Sequence, residues 1–152
     1  MRTAIVTGGA KGIGLAIARA LVADGMHVLI SGRDRQALES VSAELGDAVS
    51  HTVCDLRNPA DIEELFDRAR VEFGELLLLV NNAGLGRFGP FENTSLDDWE
   101  EIMEVNARGT FLACQHAYRW MMETGGGRII NIASVVGYKG YPNQAAYAAS
   151  KH

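Results

Sequence analysis

Apolar residues along this chain follow two alternating spacings. Short, largely apolar runs have the length of buried strands, and they occupy residues 4–6, 27–31, 49–53, 76–80 and 128–133. Between these runs, apolar residues recur three and four positions apart, which is the stripe of a helix packed on one face. Because strand and helix alternate throughout, we predict one α/β domain over residues 1–152. Its sheet is expected to be parallel and doubly wound, with about five strands and right-handed crossovers.

The longest predicted helix follows Ser95, where the sequence Ser-Leu-Asp-Asp resembles a capping box. It ends at the glycines of residues 125–127. The helix before it has an equally clear start, because Asn58 suits the N-cap position and Pro59 the first helical position. On the inward face of the long helix we expect Trp99, Ile102, Met103, Ala107, Thr110, Phe111 and Cys114.

Three glycines separate the first predicted strand from the first predicted helix. Gly8, Gly12 and Gly14 have the spacing Gly-x-x-x-Gly-x-Gly. A strand-to-helix turn directs the free N–H groups and the positive end of the helix towards a ligand. Glycine also lets a phosphate approach the backbone closely. The alternative is an ordinary glycine-rich connection, because the commoner dinucleotide fingerprint has the spacing Gly-x-Gly-x-x-Gly.

Composition limits the classes of function. With 152 residues, 47% hydrophobic and 22% charged, the chain has an ordinary globular composition. Its net charge of −5 gives no general attraction to nucleic acid or to anionic membranes. The run at residues 76–80 is too short to cross a bilayer, and no signal peptide is recognised. Cys54 and Cys114 lack metal-site spacing, so we expect free thiols, no metal site and a cytoplasmic protein.

Tyr147 and Lys151 carry the clearest candidate chemistry. They stand four residues apart at the start of the last predicted helix, so their side chains share one face. A free tyrosine has a pKa of about 10, and a nearby ammonium favours its phenolate form. Such a tyrosine can donate or accept a proton at a carbonyl or hydroxyl oxygen. The alternative is a solvated lysine beside a packed tyrosine.

Two polar residues strengthen this hypothesis. Ser134 follows the fifth predicted strand, and ligands of parallel sheets bind at the carboxyl ends of the strands. Its hydroxyl can therefore hydrogen-bond the same substrate oxygen. Asn106 lies seven residues after Trp99 on the inward face of the long helix, where an amide needs buried partners. Asn106 either holds a water beside the lysine or is a satisfied structural amide.

Five motifs occur together in one order: Thr7-Gly8-x-x-x-Gly12-x-Gly14, Asn81-Asn82-Ala83-Gly84, Asn106, Ser134 and Tyr147-x-x-x-Lys151. This combination resembles the short-chain dehydrogenase/reductases, and the resemblance covers the whole chain. It implies a Rossmann sheet that binds a nicotinamide dinucleotide and supports hydride transfer to or from a small carbonyl or alcohol substrate. It also implies a homodimer or homotetramer.

The resemblance assigns roles to particular residues. Tyr147 would be the general acid/base, Ser134 would orient the substrate oxygen, and Asn106 would support a proton relay. Lys151 would hold the nicotinamide ribose, and Asp55 would contact the adenine amino group. The residues expected to bind the cofactor are Gly8, Lys11, Gly12, Ile13, Gly14, Arg33, Asp55, Leu56, Asn82, Ala83, Gly84, Tyr147 and Lys151.

The charge at the end of the second strand indicates which dinucleotide binds. A carboxylate there would bind the 2′-hydroxyl of NAD, but the sequence has Gly32 followed by Arg33. Arg33 and Lys11 would instead bind the 2′-phosphate of NADP. Asp34 complicates this inference, because it can neutralise Arg33 or turn towards the ribose. We favour NADP(H) over NAD.

The chain stops at His152, one residue after Lys151. Family members continue through the rest of this helix and further strands, so we expect a piece of a longer reductase whose C-terminal strands are missing. The fifth strand would then be an apolar sheet edge. A non-catalytic dinucleotide-binding module is the alternative function. A phosphate- or flavin-binding α/β protein is disfavoured, because it has no need of the Ser134, Tyr147 and Lys151 arrangement.

Overall fold

The computed structural model describes residues 2–152. Within them, five strands are present: β1 (Thr3–Thr7), β2 (His27–Gly32), β3 (Val49–Val53), β4 (Leu78–Asn81) and β5 (Arg128–Asn131). They pair in parallel in the order β3-β2-β1-β4-β5. The predicted parallel sheet of about five strands is confirmed. The predicted run at residues 76–80 begins two residues before the strand that forms, β4.

Six α-helices lie within the described residues and cover both faces of the sheet. They are α1 (Gly12–Ala23), α2 (Arg35–Leu45), α3 (Pro59–Phe73), α4 (Leu96–Met103), α5 (Thr110–Glu123) and α6 (Ala145–Lys151). One apolar core combines β-sheet residues with α3 and α5, and a second combines them with α1 and α2. Since each face of the sheet has its own core, the fold is the predicted doubly wound α/β type.

The register of the strands aligns their carboxyl ends. Thr7, the last residue of β1, pairs with Ser31 of β2, while Val6 pairs with Val80 of β4. The centre of β1 is fully buried at Ile5. The loops that follow β1, β2 and β4 therefore leave the sheet at one edge, which is where ligands of this architecture bind.

The long helix predicted after Ser95 is interrupted. A π-helical segment, Glu104–Gly109, separates α4 from α5, and its wider turns rotate the following residues out of the phase of a continuous helix. Phe111 is accordingly 62% exposed, and Trp99 in the first turn of α4 is 40% exposed, so the expectation that both face inward is wrong. Ile102 is fully buried as expected.

The strand β5 lies at one edge of the sheet. Among residues 2–152 it pairs with β4 alone, and Ile130 is 46% exposed. The predicted apolar edge is therefore present in the described part of the chain. An edge of this kind offers unpaired backbone groups to another strand.

Candidate active site

A cavity of about 360 Å³ opens at the carboxyl ends of the strands. Among the residues predicted to bind a cofactor, those that line it are Gly8, Lys11, Arg33, Asp55, Leu56, Asn82, Ala83 and Gly84. The predicted residues outside the lining belong to two helices: Gly12, Ile13 and Gly14 begin α1, and Tyr147 and Lys151 lie on α6. The cavity thus joins the glycine turn, the end of β2 and the end of β4.

Sequence reasoning missed several cavity residues. Ser31, Leu85 and Val105 line the cavity as well. Two of them could have been anticipated from the sequence, because Leu85 directly follows Gly84 and Val105 directly precedes Asn106, both predicted site residues. Cys54 also lines the cavity, and burial raises the pKa of its thiol to about 12, which keeps it protonated and unreactive.

The glycine turn is held in place by the end of β4. The side-chain amide of Asn82 donates hydrogen bonds to the carbonyl oxygens of Thr7 and Gly8, at 3.0 and 3.2 Å. In return, the Thr7 hydroxyl accepts from the backbone N–H groups of Asn82 and Ala83, both at 3.1 Å. Asn82, predicted as a cofactor contact, therefore also fixes the shape of the turn.

Gly14 has no room for a side chain. A Cβ at this position would lie 2.2 Å from the Gly8 carbonyl oxygen and 2.4 Å from Nδ2 of Asn82. We expect Gly14→Ala to separate the turn from β4, lower the free energy of unfolding by about 1–3 kcal/mol, and weaken dinucleotide binding. Denaturant titration and calorimetric titration with NADPH measure the two effects. Gly89→Ala, whose Cβ meets nothing within 4 Å, is the matched control; equal behaviour of both variants would contradict the prediction.

The N-terminus of α1 has no side-chain cap, and Lys11, the residue before it, lines the cavity. Side chains of Asp34, Asn58 and Ser95 cap α2, α3 and α4. By contrast, Lys11 precedes α1 without a capping hydrogen bond from its side chain, and the first turn of α1 holds no acidic residue. The free N–H groups and the positive end of the helix dipole therefore favour an anion at this end of the cavity.

Asp34 caps a helix and also lines the cavity. Its Oδ1 accepts a hydrogen bond from the Ala37 N–H at 3.0 Å, so the carboxylate is used as the N-cap of α2. Within residues 2–152, the side chains of Arg33 and Lys11 form no hydrogen bond or ion pair. Both cations line the cavity together with the carboxylates of Asp34 and Asp55. Hydrogen bonds from Arg57 lower the pKa of Asp55, and the charge of Arg33 helps to lower it.

The two candidate catalytic residues on α6 contact different parts of the structure. Nζ of Lys151 donates to the Ile132 carbonyl oxygen at 3.0 Å, and burial lowers the pKa of this ammonium. The ring of Tyr147 meets the ring of Phe88 edge to face, with centroids 5.5 Å apart. Phe88 lies in the segment after β4, so Tyr147 is held between α6 and that segment.

Ser134 lies three residues beyond β5, which ends at Asn131, whereas the sequence predicted a strand to residue 133 with Ser134 directly after it. Its Oγ accepts from the Val136 N–H at 3.4 Å at the start of a 3-10 turn, Val135–Gly137. No hydrogen bond joins Ser134 to Tyr147 in the described part of the chain. The turn nevertheless packs on α6, because a Cβ at Gly137 would lie 2.2 Å from the Lys151 carbonyl oxygen.

Asn106 is buried in the π-helical segment, and its side chain has three partners. Oδ1 accepts from the Leu85 N–H at 2.7 Å, while Nδ2 donates to the Leu85 carbonyl oxygen and to Ser150 Oγ, both at 2.8 Å. Ser150 in turn donates to the Tyr147 carbonyl oxygen at 2.8 Å. Sequence reasoning missed Ser150, although it adjoins Lys151. The amide is thus fully hydrogen-bonded within the described residues, and it connects the end of β4 to α6.

Comparison with known proteins agrees with this arrangement. The family model described as short chain dehydrogenase matches residues 2–152. The chain belongs to the short-chain dehydrogenase/reductase family. A solved structure of a short chain dehydrogenase/reductase family protein superposes with a TM-score of 0.91 and 33% identity, and the match covers 99% of this chain and 62% of the other.

Curated members of the short-chain dehydrogenase/reductase family show how much of the length is matched. D-threitol dehydrogenase of Mycolicibacterium smegmatis is 39% identical over 153 residues, covering 99% of this chain and 59% of the relative. Nodulation protein G of Rhizobium sp. is 42% identical over 150 residues, covering 99% and 61%. 3-Oxoacyl-(acyl-carrier-protein) reductase of Escherichia coli is 38% identical over 150 residues, covering 99% and 62%. This chain thus spans about three fifths of these relatives' length.

Among residues 2–152, no helix combines the length and apolar character that crossing a bilayer requires.

Proposed function

We propose that the protein containing this chain is an NADP(H)-dependent oxidoreductase that reduces a small carbonyl compound or oxidises the matching alcohol. The observation that carries the proposal is the cavity itself, which combines the uncapped N-terminus of α1 with Lys11 and Arg33, two cations without ion-pair partners in residues 2–152. A pyrophosphate and a 2′-phosphate are the anions that suit these positions. The nicotinamide, when bound, supplies or accepts the hydride.

The preference for NADP(H) rests on what lies at the end of β2. The nearest carboxylate, Asp34, uses Oδ1 to cap α2, which leaves Oδ2 alone for a ribose hydroxyl of NAD. Arg33 is exposed beside it and can form charge-assisted hydrogen bonds with a phosphate. Gly32 lines the same part of the cavity without a side chain that would obstruct a phosphate.

The proposed proton-transfer roles belong to residues on α6 and in the segment after β5. Tyr147 is the proposed general acid/base, and Ser134 orients the substrate oxygen. Lys151 holds a ribose hydroxyl and stabilises the phenolate by its charge. Asn106 supports the relay indirectly, since it fixes Ser150 next to Lys151 through a 2.8 Å hydrogen bond. Each side chain binds, orients or moves a proton, while the cofactor carries the electrons.

Cofactor choice gives a direct test. We expect Arg33→Ala and Lys11→Ala each to raise the Kd of NADPH about tenfold, because each removes a charge-assisted hydrogen bond to phosphate. The Kd of NADH should change less than about twofold, since NADH lacks the 2′-phosphate. Fluorescence titration with both cofactors measures the ratio.

Arg35→Ala is the matched control for the cofactor test. It removes the same charge two residues away, at an exposed position outside the cavity lining, and should leave both Kd values unchanged. Equal weakening of NADPH and NADH by Arg33→Ala would contradict the proposed 2′-phosphate site.

A non-catalytic dinucleotide-binding module is the second candidate. The observation that favours it is local: Ser134 is hydrogen-bonded to Val136 within its own turn, and in residues 2–152 no hydrogen bond joins it to Tyr147. Both candidates require the cavity, but turnover requires Tyr147. Loss of turnover on Tyr147→Phe distinguishes them.

We also infer that the complete protein is a cytoplasmic homodimer or homotetramer. Its self-association would use α5, where Phe111, Tyr118 and Met122 are each at least 60% exposed. These side chains recur seven and four residues apart, so they form one stripe along the helix. Trp99 of α4, 40% exposed, extends the apolar surface available to a second copy.

A further inference from the structure

A network of alternating acidic and basic side chains extends away from the cavity. Asp55 lines the cavity, and Nε of Arg57 lies 3.0 and 2.9 Å from its two carboxylate oxygens. Nη1 of the same guanidinium donates to Glu101 Oε1 at 2.9 Å. The other oxygen of Glu101, Oε2, accepts from Nε of Arg87 at 3.2 Å and also from its Nη2. Glu101 on α4 therefore joins two arginines that come from different loops.

The network is sheltered at its centre. The side chain of Glu101 is 20% exposed and that of Asp55 is 25% exposed. Hydrogen bonds from Arg87 hold the pKa of Glu101 below its ordinary value, and those from Arg57 do the same for Asp55. Both carboxylates are therefore charged at neutral pH. Arg87 also pairs with Asp98 Oδ1 at 2.9 Å, so α4 binds this arginine at two points.

Arg87 belongs to a short segment, residues 85–89, that we call the 85–89 loop. Its first residue, Leu85, donates its N–H to Asn106 Oδ1 at 2.7 Å, and its last, Gly89, donates its N–H to the Asn143 carbonyl oxygen at 3.0 Å. Between these anchors, Phe88 packs edge to face on Tyr147. Two consecutive residues thus connect the ionic network to the proposed acid/base.

We propose that Glu101 is a positioning residue. It sets the position of the 85–89 loop, and with it the contact of Phe88 with Tyr147, according to what occupies the cavity at Asp55, where the proposed cofactor would place its adenosine. Any ligand that contacts Asp55 acts on Arg57, because both oxygens of that carboxylate already bind the guanidinium. The same guanidinium holds Glu101, which holds Arg87. By reciprocity, ordering of the loop strengthens adenosine binding to the same degree.

This inference rests on the proposed function, since adenosine is part of the proposed cofactor. A second route between the same places exists, because Leu85 also lines the cavity. The two routes differ in their dependence on charge: the route through Glu101 is ionic and partly exposed, so salt weakens it, whereas packing of Leu85 against a ligand is insensitive to moderate salt.

The test uses 2′,5′-ADP, the adenosine half of NADP, at saturation. Hydrogen exchange is measured at the amides of Leu85 and Gly89, whose N–H groups anchor the loop. We expect exchange of both to slow about fivefold on binding, the lower end of typical coupling between sites. In Glu101→Gln the ligand should still bind, while the slowing disappears. Arg87→Gln breaks the same ionic network at its loop end, so it should also abolish the slowing while the ligand still binds.

Glu100→Gln is the matched control, because it removes an exposed carboxylate one residue away on α4, and the Glu100 side chain forms no hydrogen bond or ion pair in residues 2–152. It should keep the ligand-induced slowing. The inference would be overturned if Glu101→Gln kept the full slowing of exchange. It would also be overturned if, in the unaltered protein at saturating ligand, the slowing did not change with salt; either result favours the route through Leu85. If calorimetry shows that 2′,5′-ADP fails to bind the unaltered protein, the proposed function falls, and the inference with it.

Discussion

Replacing Tyr147 by phenylalanine is expected to lower kcat by about a thousandfold, because a positioned acid/base contributes about 10²–10⁴ to the rate. The substitution removes the phenolic oxygen alone. The ring that packs on Phe88 is retained, so the 85–89 loop keeps its contact. The Kd of NADPH should accordingly stay within about twofold of its original value, since the lost group acts on the substrate oxygen.

The measurement needs substrates, and the relatives indicate a panel. D-threitol and a 3-oxoacyl thioester correspond to the names of two of these relatives, which are 39% and 38% identical to this chain. Turnover is followed by the change in NADPH absorbance, using the complete protein that contains this chain. Tyr138→Phe is the matched control, because Tyr138 is 92% exposed and should leave kcat unchanged.

Two outcomes would count against the assignment of Tyr147. If Tyr147→Phe retained more than about a tenth of the original kcat, another group would be the acid/base. If the unaltered protein bound NADPH but turned over none of the panel in either direction, the non-catalytic module would become the better hypothesis.

We expect Gly137→Ala to lower kcat, although Gly137 itself takes no part in the proposed reaction. A Cβ at Gly137 would lie 2.2 Å from the Lys151 carbonyl oxygen and 2.9 Å from the carbonyl carbon. These are backbone atoms, so no side chain can turn aside, and α6 must shift away from β5. Overpacking of this kind costs about 1–3 kcal/mol of unfolding free energy. A shift of about 1 Å in the residues on α6 lowers kcat about a hundredfold.

Gly140→Ala, three residues away, separates this steric effect from a general loss of loop flexibility. A Cβ at Gly140 meets no atom within 4 Å, so we expect both kcat and unfolding free energy to stay near their original values. Thermal unfolding and NADPH titration complete the comparison, and Gly137→Ala should retain adenosine affinity because the cavity is lined by other elements. Equal kcat for the two variants would contradict the prediction.

The elements of the fold were predictable because their signals are local. The strand Val49–Val53 and the helix Pro59–Phe73 form where the apolar runs and the Asn58 cap predict them. Asn58 accepts a hydrogen bond from the Ala60 N–H at 3.1 Å, an interaction between residues two apart. Such signals depend on neighbours along the chain, which the sequence contains in full.

The candidate site was predictable in its position but not in its connections. Parallel strands bring their carboxyl ends to one edge, so the residues after β1, β2 and β4 had to surround a common space. The roles assigned to Tyr147, Ser134 and Lys151 stay predictions. No local pattern indicates that Asn106 bonds to Ser150, 44 residues later, or that Arg57 reaches Glu101 across the same separation.

By itself, the sequence determined the alternation of strand and helix, the glycine turn and the family to which the chain belongs. The tertiary structure decided which polar groups meet. It left Arg33 and Lys11 beside the cavity, joined Arg57 to Glu101 through a 2.9 Å hydrogen bond, and inserted a π-helical segment that turned Phe111 outwards. The physical reason is that caps and periodicities are satisfied within a few residues, whereas ion pairs and buried amides choose partners only after the sheet has brought distant segments together.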